Sequence, residues 1–354
     1  MSVSVLVVDD SALARSLIAT VLGSDPGLTV AATCSSGEQA LSALPALRPD
    51  VVTLDVEMPG MDGLETLRRI RALDRHVPVI MVSSLTRSGA AATLDALAEG
   101  ADDYVAKPSG AASRDEALGA VADDLLPKVH ALAARRAWRT LGTGPRLPQQ
   151  RRPVGARTAS TASTHVDVVA MGASTGGPEA LTRILPALPA DLPVPVVVVQ
   201  HMPALFTTLL AQRLDRASAT TVTEAVEGEA LRPGHVYLAP GDRHLTLDRC
   251  DGQAVVRLDD GARVHHARPA VDRLLRSLPS VYGGRVLAVV LTGMGQDGLV
   301  GCQAVHSAGG RLLVQDEATS TVWGMPGAVV GAGLPCEAVP LDEVAARVVR
   351  AVVR

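Results

Sequence analysis

Short β-branched runs alternate with helical stretches along this chain, and the alternation occurs twice. Val3–Val8, Thr29–Ala32, Val51–Leu54, Val79–Val82 and Tyr104–Val105 read as buried strands. Helical patterns lie between them near Ala12–Leu22, Glu38–Leu44, Leu64–Leu73 and Ala90–Ala98, and a fifth helix is predicted from near Arg114 toward His130. Strands alternating with helices restrict the fold to a parallel sheet with helices on both faces. The pattern restarts with strands at Val166–Met171, Val194–Gln200 and Val286–Leu291. Their helices are predicted near Glu179–Leu185, Leu205–Leu214, Ala270–Leu278 and Leu299–Ala308. Shorter strands at His235–Ala239, His244–Asp248 and Ala254–Leu258 read as a β-rich insertion in this second α/β sheet.

The break between the halves is a shift in composition. Leu125 to Val166 contains no Asp or Glu, yet carries Lys128, Arg135, Arg136, Arg139, Arg146, Arg151, Arg152 and Arg157. Its centre is rich in Pro, Gly, Ser and Thr without an apolar period, which reads as a linker. A charge run of this kind is usually solvated. The expected organisation is one domain over 1–127, a basic flexible linker over 128–163, and a second domain over 164–354. A length of 354 residues suits two such domains.

Composition removes several function classes. Aromatics are 2% of residues, too few for the stacking platforms of a single-strand nucleic-acid binder. A formal net charge of −4 gives no reason to expect nucleic acid or an anionic membrane as partner. Cys34, Cys250, Cys302 and Cys336 form no Cys-x-x-Cys pair, so free thiols in a reducing cytoplasm are expected. The N-terminal apolar run ends in acids, unlike a signal peptide, and no run is long enough to span a bilayer. The expectation is a cytoplasmic protein without membrane insertion.

Two constellations carry chemistry. In open parallel sheets, sites form at the carboxyl ends of the strands. In the first half Asp9 and Asp10 end the first strand, Asp55 the third, Ser83 the fourth, and Lys107-Pro108 follows the fifth. Three converging carboxylates call for a hard cation, and Mg²⁺ suits oxygen ligands that also share a phosphoryl group. A carboxylate beside it can act as nucleophile and form an acyl phosphate. Lys107 and Ser83 are placed to pair with phosphoryl oxygens. One acid could be a helix cap alone; helix capping explains the whole set poorly.

In the second half Gly172, Ser174 and Gly176 give a G-x-S-x-G spacing after a strand, which presents a serine on a tight turn. Alone this is weak, since Gly-rich turns also bind phosphates. A second strand ends in Gln200-His201-Met202-Pro203, and a third in Thr292-Gly293-Met294-Gly295-Gln296-Asp297-Gly298. Ser174, His201 and Asp297 thus supply nucleophile, base and orienter from three strand ends, with no cofactor needed for ester hydrolysis. Backbone amides at Thr175 and Met294 are the candidate oxyanion donors. Asp297 could instead merely cap the helix at Leu299. The chain order Ser, His, Asp differs from the usual α/β-hydrolase order.

The strings VLVVDDSA, LDVEMPGMDGLE, PVIMVSS and GADDYVAKP resemble the receiver domain of two-component response regulators. The resemblance implies a flavodoxin-like fold with Asp55 as phosphoryl acceptor and Asp9 and Asp10 as metal-site acids. It makes Lys107 the phosphate-sensing lysine, Ser83 the switch hydroxyl and Tyr104 the switch aromatic, with a cis bond at Lys107-Pro108. The strings GASTGGP, QHMP, YLAPGDRHL, ARPAVD, LTGMGQDG and QDEATSTVWGMP resemble the catalytic domain of bacterial chemotaxis protein-glutamate methylesterases. That resemblance implies two doubly wound α/β domains and the triad Ser174, His201 and Asp297. It also implies glutamate methyl esters and certain glutamines of chemoreceptors as substrates, a chemotaxis histidine kinase as phosphodonor, and recruitment to receptor arrays. Gln296 stands where that family more often has Asn, and His265-His266 has no counterpart that explains it.

Three rival readings are weaker. A DNA-binding output domain lacks a basic recognition helix. A nucleotide-binding domain lacks a P-loop or a G-x-G-x-x-G fingerprint. A catalytically dead adaptor would not need Ser174, His201 and Asp297 together. Because the second half holds its whole triad, the receiver is expected to regulate by covering the site rather than completing it.

Overall fold

The computed structural model describes residues 2–108, 113–141 and 165–353, and the chain divides into two compact units on either side of residues 151 and 152. The first unit holds β1 (Val3–Val8), β2 (Leu28–Cys34), β3 (Val51–Asp55), β4 (Val79–Ser83) and β5 (Asp103–Ala106). These pair in the order β2-β1-β3-β4-β5, all parallel. That is the doubly wound 2-1-3-4-5 order, whose functional crevice lies at the carboxyl ends of β1 and β3. β3 and β4 are buried along their whole length, as a sheet covered on both faces requires.

The helices α1 (Ala12–Gly23), α2 (Gly37–Leu47), α3 (Gly63–Leu73) and α4 (Arg87–Ala98) begin alike. Ser11, Ser36, Asp62 and Thr86 each accept an N–H from three residues on. Each cap of this kind is worth about 1 kcal/mol. They start the helices immediately beyond the strand ends, which fixes the loops that carry the acids.

The fifth helix, α5 (Arg114–Leu141), runs further than the sequence suggested. The linker was expected from residue 128; the helix carries through that point. Val129 and Leu132 are fully buried. Lys128 pairs with Asp124 at 2.7 Å, Arg135 with Asp102 at 2.9 Å, Arg136 with Asp74 at 3.0 Å and His130 with Asp25 at 2.8 Å. The basic run was read as solvated, but its first part finds acids on the first unit and packs there. Residues 142–163 of the expected linker lie outside the described residues.

The second unit holds a seven-stranded parallel sheet in the order β14-β13-β12-β6-β7-β9-β8. Its strands are β6 (Val168–Ala173), β7 (Val196–Gln200), β8 (Thr221–Glu224), β9 (His235–Leu238), β12 (Val286–Val290), β13 (Arg311–Gln315) and β14 (Glu337–Val339). The strand expected at His235–Ala239 as part of the insertion is β9, and it pairs in parallel with β7 and β8 inside the main sheet. The insertion proper is one antiparallel hairpin of β10 (His244–Cys250) and β11 (Gln253–Asp259). The helices are α6 (Gly177–Ile184), α7 (Ala204–Ala217), α8 (Val271–Tyr282), α9 (Leu299–Ser307), α10 (Gly324–Gly331) and α11 (Leu341–Val352). β6 lies between β7 and β12, so the loops after all three meet at the carboxyl edge. No helix among the described residues is long and apolar enough to cross a membrane.

Candidate active sites of the two units

In the first unit Asp9 and Asp55 are almost wholly buried and Asp10 is exposed beside them. Carboxylate oxygens of the three lie within 4.8 Å of one another. Lys107 bridges the buried pair, with Nζ 2.9 Å from Asp9 Oδ2 and 2.8 Å from Asp55 Oδ2. Burial pushes the Asp55 carboxyl above the usual range, and the Asp9 charge adds to this, while Lys107 opposes it. Burial alone would lower the Lys107 ammonium, but the two carboxylates outweigh it and raise it. A set of hard oxygen donors at a strand edge fits a Mg²⁺ ion.

The other residues expected at this site meet it unequally. Ser83 is fully buried and donates its hydroxyl to the Ser84 carbonyl at 3.1 Å. Ser84 donates to Glu57 at 2.9 Å, tying the loop after β4 to the loop after β3. Tyr104 is buried, and the Lys128 ammonium sits 5.2 Å from its ring centroid while donating to its carbonyl at 2.6 Å. Among the described residues the one cis peptide bond is Arg268-Pro269, so Lys107-Pro108 is trans, against expectation. The energy separating the two forms before proline is only about 0.5–1 kcal/mol, too little for sequence to decide.

In the second unit Ser174 follows β6 on a partly exposed turn. Its N–H donates to the Thr292 carbonyl at 3.0 Å, and its carbonyl accepts from Gly177 at 2.8 Å. Gly177 is required here, because a Cβ would stand 1.9 Å from Gln200 Oε1. Gln200, buried at the end of β7, donates Nε2 to the Ser174 carbonyl at 2.9 Å and to the His201 carbonyl at 3.3 Å. One side chain therefore holds the turns that carry Ser174 and His201.

His201 Nε2 lies 2.8 Å from Asp297 Oδ2. Asp297 is 1% exposed and accepts three backbone N–H groups as well, from Val271 at 2.7 Å, Asp272 at 2.9 Å and Gly298 at 2.9 Å. Burial would raise its pKa, but His201 and the amides of α8 outweigh burial and hold the carboxyl below its usual range. An ionised Asp297 accepting at Nε2 makes that nitrogen the N–H donor, which leaves Nδ1 as the basic nitrogen. Asp297 also does not cap the helix that follows it. Gly298 is the N-cap of α9, and Asp297 reaches across to the first turn of α8.

Among the described residues no hydrogen bond joins the Ser174 hydroxyl to His201; catalytic contacts often tighten only with substrate bound. Gly293 packs directly on the serine, since a Cβ there would lie 2.9 Å from Ser174 Cβ and 2.3 Å from Met325 Sδ. The segment 315–326 forms the outer wall. Gly293 donates to the Val322 carbonyl and accepts from Met325, and Trp323 lies beside it. Thr292 donates its hydroxyl to the carbonyl of Thr175, and Gln315 accepts the Thr292 N–H. The Met294 N–H has no donor contact within the described residues.

Sequence reasoning named Ser174, His201 and Asp297 and the amides of Thr175 and Met294, and the structure brings these strand ends together. It missed Gln200, Thr292, Gln315 and Asp272, which fasten the loops. Their signal was present only for Gln200, a polar residue closing a fully apolar strand.

Both units match known proteins. The family model described as CheB methylesterase matches residues 169–348, and that of the response regulator receiver domain matches 5–121. A protein-glutamate methylesterase/protein-glutamine glutaminase of Nocardioides sp. is 45% identical over 99% of this chain and 96% of that protein. The protein of the same name from Trichodesmium erythraeum is 42% identical, over 98% of each. The crystal structure of the Thermotoga maritima CheB methylesterase catalytic domain matches with a TM-score of 0.52 and 42% identity, covering 53% of this chain and 99% of that one. Two parallel-sheet units, each matched by a family model and together matched nearly end to end by such relatives, place this chain in the family of receiver-linked protein-glutamate methylesterases/protein-glutamine glutaminases.

Proposed function

We propose that the second unit hydrolyses glutamate methyl esters, and deamidates particular glutamines, on the cytoplasmic helices of chemoreceptors. Ser174 is the nucleophile. Its Oγ attacks the ester carbonyl while its proton passes to His201 Nδ1. That proton then leaves with methanol, and water resolves the acyl-serine by the same route in reverse. Asp297 holds the imidazole and stabilises its cation. The amides of Thr175 and Met294 take the oxyanion. The observation that carries this reading is the buried Asp297 bound to His201 at 2.8 Å at the same edge as Ser174.

The first unit regulates this chemistry. Asp55 accepts a phosphoryl group from a chemotaxis histidine kinase, and Ser83, Tyr104 and Lys107 support that site. Asp9, Asp10 and Asp55 would hold Mg²⁺, which would supply charge to balance the phosphoryl oxygens. The enzyme works in the cytoplasm at receptor arrays. Domain bounds of 1–127 and 164–354 suit these roles, with α5 extending the first.

The test is methanol release from methylated receptor membranes, with and without a small phosphodonor. Ser174→Ala should lose ester hydrolysis while Asp55 still takes up phosphate in the presence of Mg²⁺. Full esterase activity in Ser174→Ala would overturn the assignment. A fragment from Ser163 to Arg354 should exceed the unphosphorylated whole protein in rate, if the receiver acts by covering the site.

A further inference from the structure

We infer that Asp272 is a positioning residue for the hydrolysis, acting on Asp297 through a reciprocal helix cap. This rests on the reading of Ser174, His201 and Asp297 given above. Asp297 stands just before α9, yet two of its acceptor contacts are the N–H groups of Val271 and Asp272, at the start of α8. The Asp272 carboxylate returns the arrangement. It is 4% exposed, and its Oδ1 accepts the N–H of Gly301 at 2.7 Å, in the first turn of α9. Each acid therefore satisfies orphan donors at the start of the other's helix. Each carboxylate faces a helix N-terminus with partial positive charge; at Asp272 burial and the Asp297 charge outweigh the Gly301 amide and His265 and hold its carboxyl above the usual range, whereas Asp297 is held below it.

Packing makes the exchange tight. Gly301 faces Leu275 of α8 so closely that a Cβ would lie 2.4 Å from the leucine Cβ. The helices can approach because no side chain intervenes. A third partner is His265, whose Nε2 lies 3.3 Å from Asp272 Oδ2. One atom from each of His265, Asp272 and Asp297 falls within a 4.8 Å cluster. The titratable groups facing Asp272 are thus Asp297, His265 and the Cys302 thiol, which burial, the Asp272 charge and Cys336 push up to about 12.

The reciprocal cap gives Asp272 two influences on the reaction. Its Oδ1 fixes the start of α9, and so the loop that sets Asp297 against His201. Its negative charge adds to that of Asp297 in favouring the His201 imidazolium. Asp272→Asn keeps an acceptor for Gly301 and removes the charge. Asp272→Ala removes both. Neither change touches Ser174 or an oxyanion donor.

The experiment measures kcat and KM on methylated receptor membranes against pH for the full-length protein and these two variants, with Ser174→Ala alongside. Asp272→Asn should keep KM, lower kcat by about three- to tenfold, and move the acid limb of kcat at least about half a pH unit lower. Asp272→Ala should lower kcat by a further order of magnitude or so. Folding of each variant is checked by its near-native far-ultraviolet circular dichroism; if Asp272→Ala fails to fold, Asp272→Asn decides alone. Unchanged kcat and an unmoved acid limb in folded Asp272→Asn would overturn the inference, as would a rise in KM alone. Activity surviving in Ser174→Ala would instead overturn the underlying triad, so the two failures are told apart.

Discussion

Replacing Gly293 with Ala tests whether the wall behind Ser174 is as close as the structure has it. The added Cβ would stand 2.9 Å from Ser174 Cβ and 2.3 Å from Met325 Sδ. Carbon atoms meet at about 3.5–4.0 Å, so the serine side is short by roughly 0.6 Å or more. The methionine is fully buried, but its thioether is flexible and can absorb part of the strain. Ser174 cannot, because its Cβ is bound to a backbone held by Thr292, Gly177 and Gln200. Overpacking of this kind costs about 1–3 kcal/mol of stability. Displacing Ser174, the proposed nucleophile, by up to about 1 Å costs about a hundredfold in rate. Gly295→Ala is the control: its Cβ would meet nothing within 4 Å, although φ of +78° brings backbone strain of about 1–3 kcal/mol. Methanol release and thermal melting of both variants give the answer. A folded Gly293→Ala protein with the parent's kcat would refute the close approach as a constraint on the nucleophile, whereas equal losses in both variants would trace the effect to loop strain.

Three further outcomes are expected. Gln200→Ala should destabilise the catalytic unit by about 1–3 kcal/mol and lower kcat with little change in KM, because it removes the side-chain donor from the His201 carbonyl and leaves the Ser174 carbonyl only the Gly177 N–H; chemical denaturation and steady-state rates check this. Asp55→Asn should raise the melting temperature of the receiver at neutral pH. A carboxyl whose folded pKa is raised favours the folded state only while protonated, so its ionised form costs stability above that pKa, and the gain should shrink as pH falls through it. Asp297 has the opposite sign: its depressed pKa stabilises the fold at neutral pH, and that contribution should disappear as pH falls below the ordinary aspartate range, so Asp297→Ala and the parent should converge in stability in strong acid.

Most of both sites could be read before any coordinates, because strand ends in a parallel sheet converge by topology. Asp9, Asp55, Lys107, Ser174 and His201 each sit one or two residues past an apolar run, and Asp297 follows Leu291 across the Gly-containing loop Thr292-Gly293-Met294-Gly295-Gln296. Edge strands were harder. β8 and β14 are four and three residues long, and partly exposed, so they lack the buried pattern that marked β6 or β12. β9 is followed directly by the hairpin strands in sequence, and nothing local says it joins the main sheet. The roles of Gln200, Thr292 and Asp272 depend on hydrogen bonds to residues that are remote in sequence, as with Gly301 on Asp272. The linker boundary moved for a related reason: a basic run is polar by composition, and only the acids opposite Arg135 and Arg136 make it part of the receiver.

The placement of Trp323 also gives the enzyme a built-in optical reporter. The chain has two tryptophans, Trp138 and Trp323. Trp323 bridges to Gly293, the residue packed on Ser174, and its indole N–H donates to the Gln315 carbonyl at 3.3 Å. A Trp138→Phe protein would hold one tryptophan, on the wall beside Ser174. Its emission would follow that wall during turnover, and stopped-flow traces could time movements there against methanol release without any attached dye.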